Sequence, residues 1–138
     1  VPKELSFVKL CSLDEILTEA EIISIHLPVT DETRGMIGEK EFKKMKPTAH
    51  IINTARGGIV DEQALIEAID RGEIAGAALD VLEKEPASPD NPLLNRDNII
   101  VTNHVASYSK ESLDAISLIC AENIIKLYAG EEPLHGVV

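Results

Sequence analysis

Four short apolar runs recur along the chain: IISIHL (Ile22 to Leu27), HIINTA (His50 to Ala55), AGAALDV (Ala75 to Val81) and NIIVTN (Asn98 to Asn103). Each is nearly continuous in Ile, Val, Leu and Ala, the pattern of a strand covered on both faces, and Pro28 stops the first. Between them lie stretches with helical spacing. Ser12 and Glu15 in SLDE form a capping box for a short helix to about Glu19. Asp61 is placed to cap a helix whose face is Ala64, Leu65, Ala68 and Ile69, with Gly72 as its stop. A long final helix, from about Lys110 to Ala129, carries Leu113, Ile116, Cys120, Ile124 and Leu127 on one side and ends at Gly130. FVKLCS (Phe7 to Ser12) reads as a further strand, and KEPASPDNP (Lys84 to Pro92) as a Pro-rich loop. Strands spaced by helices predict an α/β fold, a parallel sheet with right-handed crossovers.

The 138 residues are enough for one domain with a real core, and no linker divides them. With 44% hydrophobic residues but only two Phe, two Tyr and no Trp, that core is aliphatic. A formal net charge of −11 opposes binding to phosphate backbones or anionic lipid, so nucleic acid and membrane surfaces are excluded as partners. Cys11 and Cys120 have neither CxxC nor metal-type spacing and are read as buried thiols; no metal site is expected. No run approaches the length of a bilayer span and no signal-peptide pattern opens the chain. Together these predict a reducing, cytoplasmic setting.

In an open α/β sheet, ligands bind beyond the carboxyl ends of the strands. The polar residues expected there are Arg56 after HIINTA, Asp80 to Glu85 after AGAAL, and His104 after NIIVTN. An arginine, a carboxylate and an imidazole at one sheet edge form a set suited to acid–base chemistry on an anionic substrate. Taken singly, each has a plainer reading: Arg56 as a surface charge, His104 as a structural histidine, Glu85 as a solvated loop charge. Gly57 and Gly58 argue against the plain reading of Arg56, because they let backbone amides approach a ligand.

The run NTARGGIVDEQALIEAIDRGEIAGAALDVLEKEP, with NIIVTNHVASYSKES after it, resembles the nucleotide-binding domain of the D-isomer-specific 2-hydroxyacid dehydrogenases, a family that includes phosphoglycerate dehydrogenases and hydroxypyruvate reductases. The resemblance runs from about Leu10 to Val138 and implies a Rossmann-type parallel sheet flanked by helices. It further implies that Arg56 binds the substrate carboxylate and keto oxygen, that His104 is the acid–base group and that Glu85 is its partner. By the same resemblance His26, Leu27, Pro28 and Thr33 line the adenosine side of an NAD pocket. Thr54 and His104 would also contact the cofactor, Ala55 and Arg56 would meet it through the main chain, and Asp80 would lie near the nicotinamide carboxamide. His26 and Thr33 also admit structural readings, as a satisfied histidine and a helix-start residue. The residue types suit the chemistry: a guanidinium fork holds a carboxylate, an imidazole near neutrality gives and takes a proton, and a neighbouring carboxylate keeps the imidazolium populated. Asp80, in an apolar strand run, calls for a partner.

The chain departs from the family in places. Asn103 precedes His104 where relatives carry Pro, which removes a fixed φ, and Ser107 stands where many have Gly or Trp. No GxGxxG occurs, and the acid that would hold a ribose 2′-hydroxyl is missing. Residues 1–130 are therefore expected to be the C-terminal portion of an NAD(P)-binding Rossmann domain that lacks its first strands, with 131–138, ending LHGVV, starting the return to a substrate domain. The usual strand order 3-2-1-4-5-6 then leaves IISIHL at an open edge. The expected activity is interconversion of a D-2-hydroxy acid and its 2-keto acid with NAD, NADP being left open, in a homodimer when full-length. Formate dehydrogenase lacks the Glu partner. The alternative from another class is an NAD-sensing, corepressor-like interaction module without significant turnover.

Overall fold

The computed structural model describes residues 6–134. The described residues divide into two units, one up to His104 and one from Val105 on. The first unit is built on helix α1 (Leu13–Glu19), strand β1 (Ile22–Ile25), helix α2 (Glu39–Phe42), strand β2 (His50–Asn53), helix α3 (Glu62–Asp70), strand β3 (Gly76–Leu79) and strand β4 (Ile99–Val101). The four strands form one parallel sheet in the order β1-β2-β3-β4. The α/β reading thus holds, with each strand ending earlier than its apolar run.

Register explains which side chains enter the core. Ile23, Ile51, Ala77 and Ile99 are aligned across the sheet and buried, whereas the next row, Ser24, Ile52, Ala78 and Ile100, points the other way. Ile22 and Ile100 on that opposite face are 64% and 65% exposed. The continuous apolar runs led to strands covered on both faces; among the described residues only one face is covered, so burial alternates with the period-2 pleat.

The covered face packs on Leu17 of α1, Phe42 of α2 and Leu65, Ala68 and Ile69 of α3, together with Ile59, Ile74 and Leu93 from loops. The helix starts follow the expected chemistry. Ser12 accepts from the Glu15 N–H and Glu15 returns to the Ser12 N–H, and Asp61 accepts from the Ala64 N–H at 2.9 Å. Gly72, at φ 69°, follows the α3 cap Arg71. Ile66 joins the buried face of α3, and Ala64 is only half-buried, so that face is rotated from the expected one. The one-turn helix α2 had no sequence signal of its own; it is set by Phe42, which is fully buried, and by Glu41, whose carboxylate accepts from the Gly38 N–H.

Two expectations fail. FVKLCS forms no strand: from Val8 to Ser12 the backbone has no regular structure, and Phe7 and Leu10 are exposed, so nothing pairs with or covers that run. Cys11 and Cys120 are both exposed rather than buried, because the segments that carry them contribute nothing to the core.

The second unit is helix α4 (Lys110–Tyr128), one residue short of the expected end. Ser109 caps it by accepting from the Ser112 N–H, and Gly130 at φ 74° follows its end. Asn123 accepts from the Leu134 N–H at 2.8 Å, which ties the following turn back to the helix. None of its residues is buried. The closing LHGVV lies, beyond Leu134, outside the described residues.

Candidate functional site

The parallel strands deliver their C-terminal ends to one edge, and the loops leaving them are locked by side chains of the strands themselves. At the end of β2, Asn53 is 2% exposed. Its amide donates to the Arg56 carbonyl at 2.9 Å and its oxygen accepts from the Ala55 N–H at 3.0 Å. A buried amide satisfied in this way fixes the turn that carries Arg56. Arg56 spends one proton donor on the Ala55 carbonyl at 2.7 Å and keeps the rest of its fork open to the cavity described below. Gly57 is required by close approach: a Cβ there would stand 1.9 Å from the Leu82 carbonyl oxygen. The loops after β2 and β3 therefore touch backbone to backbone.

At the end of β3, Asp80 is 5% exposed. It accepts a hydrogen bond from the Thr102 hydroxyl, which answers the expectation that an acid in this apolar run needs a partner. Its backbone carbonyl accepts from the His104 N–H at 2.9 Å, and the Thr102 N–H is held by the Leu79 carbonyl at 2.9 Å. His104 adopts φ 54°, the only positive φ at a non-glycine position among the described residues. Its Nδ1 lies 2.8 Å from Oε2 of Glu85, and Oε1 of Glu85 accepts from the Leu82 N–H at 3.0 Å. The imidazole is aimed without the usual preceding proline, by this backbone geometry and its carboxylate.

The hydrogen bond from His104, then that from Leu82, holds the Glu85 carboxyl below the usual carboxylate range. With Glu85 ionised, Nδ1 carries a proton and donates, which leaves Nε2 as the ring nitrogen free for proton transfer. At the start of α3, burial raises the Glu62 carboxyl above its ordinary value; the hydrogen bond from the Glu83 N–H opposes the shift, and the charges of Glu83 and Asp61 add to it. Glu62 accepts from the Glu83 N–H at 2.6 Å, tying the start of α3 to the loop after β3.

A cavity of about 860 Å³ opens at this edge, and Arg56, Glu85 and His104 all line it. So do His26, Leu27, Pro28, Thr54 and Ala55, which makes eight of the nine distinct expected site residues other than Asp80. Asp80 faces a smaller cavity of about 140 Å³ shared with Glu85, Thr102 and His104. Thr33 is the one that lines neither: its hydroxyl donates to the Pro28 carbonyl at 2.7 Å and accepts from the Thr30 N–H at 2.8 Å, building the turn instead. His26 is engaged with the Ser24 hydroxyl at 2.8 Å. Sequence reasoning missed Asn53 and Thr102 as organisers, and Arg34 as a wall of the cavity. For Asn53 the signal was present, a polar residue ending a buried strand run.

The wall of Leu27, Pro28 and Leu82, with Gly57 held to backbone thickness, fits a flat, partly apolar group bound beside His104 and Arg56. Among the described residues no group of His, Cys, Asp and Glu is placed to hold a metal ion. No helix among them is long and apolar enough to cross a membrane.

Residues 2–106 match the family described as D-isomer specific 2-hydroxyacid dehydrogenase, NAD binding domain. The chain is 50% identical to a D-3-phosphoglycerate dehydrogenase of Archaeoglobus fulgidus over 123 residues, which are 89% of this chain and 23% of that protein. To a glyoxylate reductase of Aeropyrum pernix it is 48% identical over 88% of this chain and 36% of the relative. Its structure superposes on the NAD-complexed D-isomer specific 2-hydroxyacid dehydrogenase of Lactobacillus delbrueckii ssp. bulgaricus with a TM-score of 0.89 at 34% identity, over all of this chain and 46% of that one. The chain thus spans between about a quarter and a half of the length of these relatives.

Proposed function

We propose that this chain, which belongs to the D-isomer specific 2-hydroxyacid dehydrogenase family through its NAD binding domain, carries the acid–base and carboxylate-binding side of an enzyme that interconverts a D-2-hydroxy acid and its 2-keto acid. The observation that carries this reading is the Glu85–His104 pair, 2.8 Å apart, in one cavity with Arg56.

When bound, NAD supplies hydride exchange at the substrate carbon. The chain supplies the rest. Arg56 anchors the substrate carboxylate and leans on the keto oxygen with the open part of its fork. His104 delivers a proton from Nε2 to that oxygen in reduction and removes it in oxidation. Glu85 fixes the orientation of the ring through Nδ1. His26, Leu27, Pro28, Thr54 and Ala55 would hold the cofactor along their wall of the cavity, and Asp80, in the adjoining smaller cavity with Glu85 and His104, would serve its nicotinamide side. Thr33 shapes the turn beside that wall. The cofactor is NAD, with NADPH-bound relatives leaving NADP open.

In this reading residues 1–130 are the C-terminal portion of the Rossmann domain and 131–138 begin the return to a substrate domain. The full-length protein is a cytoplasmic homodimer. The test is steady-state oxidation of NADH by the full-length protein with glyoxylate and hydroxypyruvate. Turnover that His104→Ala abolishes while NADH binding survives supports the assignment. Tight NADH binding with no turnover of any keto acid would instead mark an NAD sensor.

A further inference from the structure

The peptide group between Leu82 and Glu83 is held on both sides. Its carbonyl lies against Gly57, close enough that a Cβ on that glycine would stand 1.9 Å from the oxygen. Its N–H donates to Oε1 of Glu62 at 2.6 Å. One step back along the chain, the Leu82 N–H donates to Oε1 of Glu85 at 3.0 Å, and Oε2 of the same carboxylate meets Nδ1 of His104 at 2.8 Å. The side chain of Leu82 is itself buried in the core. Leu82 is therefore the point where the loop carrying Arg56, the start of α3 and the Glu85–His104 pair meet.

Glu62 is well placed to fix such a point. It is the first residue of α3, whose start is capped by Asp61 and whose buried residues Leu65, Ile66, Ala68 and Ile69 seat the helix in the core. The carboxylate is thus carried by an anchored element, while the residues it holds belong to a loop. The arginines that pair with α3, Arg71 and Arg96, take Glu67 and Asp70 at its other end. Burial pushes the Glu62 carboxyl up, the Glu83 N–H opposes that shift, and the charges of Glu83 and Asp61 add to it, so of these influences only the backbone hydrogen bond favours the carboxylate. Glu62 does not line the cavity shared by Arg56, Glu85 and His104, so an effect on a reaction there passes through the loop it holds.

We infer that Glu62 is a positioning residue for the acid–base pair: it pins the Leu82–Glu83 peptide against Gly57 and so sets the place from which the Leu82 N–H orients Glu85 on His104. This rests on the function proposed above. With the peptide pinned, Glu85 has one oxygen fixed on backbone and the other on the imidazole, and Nε2 keeps one direction. Released from Glu62, the peptide turns about the Leu82 Cα, and the Leu82 N–H and Glu85 shift with it. A displacement of about 1 Å in a reacting group costs on the order of 10²-fold in rate.

The experiment uses the full-length protein, reducing hydroxypyruvate with NADH well below the melting temperature of every variant, and follows the His104 ring resonances by NMR, assigned by their loss in His104→Ala. Glu62→Ala is expected to lower kcat by about 10- to 100-fold with KM for NADH nearly unchanged, and to shift the His104 resonances. Glu62→Gln, whose amide oxygen still accepts from the Glu83 N–H, is expected to recover most of that loss. In a Glu85→Gln background Glu62→Ala is expected to add nothing, because the two residues act as a unit. A merely structural Glu62 would lower the melting temperature and leave kcat below it intact, and that result overturns the inference. So do equal losses in Glu62→Gln and Glu62→Ala, or losses that multiply in the double variant. If the unaltered protein turns over no keto acid, the functional reading fails by itself; the His104 resonances then decide the positioning, and finding them unmoved in Glu62→Ala overturns it as well.

Discussion

His104 shows how much a single residue asks of its surroundings. A left-handed φ at a non-glycine position costs of the order of 1 kcal/mol or more, and it persists here because the Asp80 carbonyl and the Glu85 carboxylate hold the residue from both ends. His104→Ala is expected to lower kcat by about 10² to 10⁴-fold, the usual range for a general acid–base group, checked by steady-state kinetics on the full-length protein. Glu85 adds a pH dependence of known sign. Its native carboxyl sits below the ordinary range, so its stabilising contribution is present above that range and fades as pH falls through it toward the lowered native value. Because the group is partly exposed, solvent screens the effect. Glu85→Gln is therefore expected to melt slightly below the unaltered protein at pH 7, with the gap closing below about pH 4. A gap that widened on acidification would contradict the pairing. These three strand-end residues were readable from the chain because parallel strands separated by helices bring all their C-termini to one edge. Arg34 was not readable: it sits in an aperiodic loop, and its place at the cavity depends on the Gly35–Gly58 hydrogen bond, a contact made across more than twenty intervening residues.

Elements, in turn, are joined at the site by backbone as well as by side chains. The close approach of Gly57 to Leu82 sets the distance between the loops that carry Arg56 and Glu85. Gly57→Ala must move backbone, since its new methyl would overlap a carbonyl, and is expected to destabilise by about 3 kcal/mol or more and to impair substrate binding. Urea denaturation and KM measured together would test this, and a neutral Gly57→Ala would show the loops to be independent. The start of α3 makes a milder prediction. Asp61→Ala removes the cap that satisfies the Ala64 N–H and should cost about 1 kcal/mol, leaving kcat intact because Asp61 does not line the cavity that holds Arg56 and His104. Helix α3 and its cap were legible because the chemistry of a helix start is local. The brevity of β4, the existence of α2 and the failure of FVKLCS were not, since each depends on what covers the segment.

For the molecule as a whole, the sheet's second face and the α4 side chains Leu113, Ile116, Ile124 and Leu127 are exposed in this chain. No glycine-rich phosphate loop is present in its sequence, so the purified 138-residue chain is expected to bind NADH weakly and to turn over no substrate. Fluorescence titration with NADH is the check, and micromolar affinity with the isolated chain would overturn the expectation. The sequence by itself determined the α/β class, the parallel sense of the sheet, the helix caps and the placing of Arg56, Glu85 and His104 beyond the strand ends. Periodicity, capping and strand termination are properties of a few neighbouring residues, and they are written locally. Only the tertiary structure decided which strand faces are buried, that both cysteines are exposed, that Asn53 and Thr102 organise the site, and that Arg34 joins it. Those depend on register and on loops distant in sequence meeting in space, which no local pattern specifies.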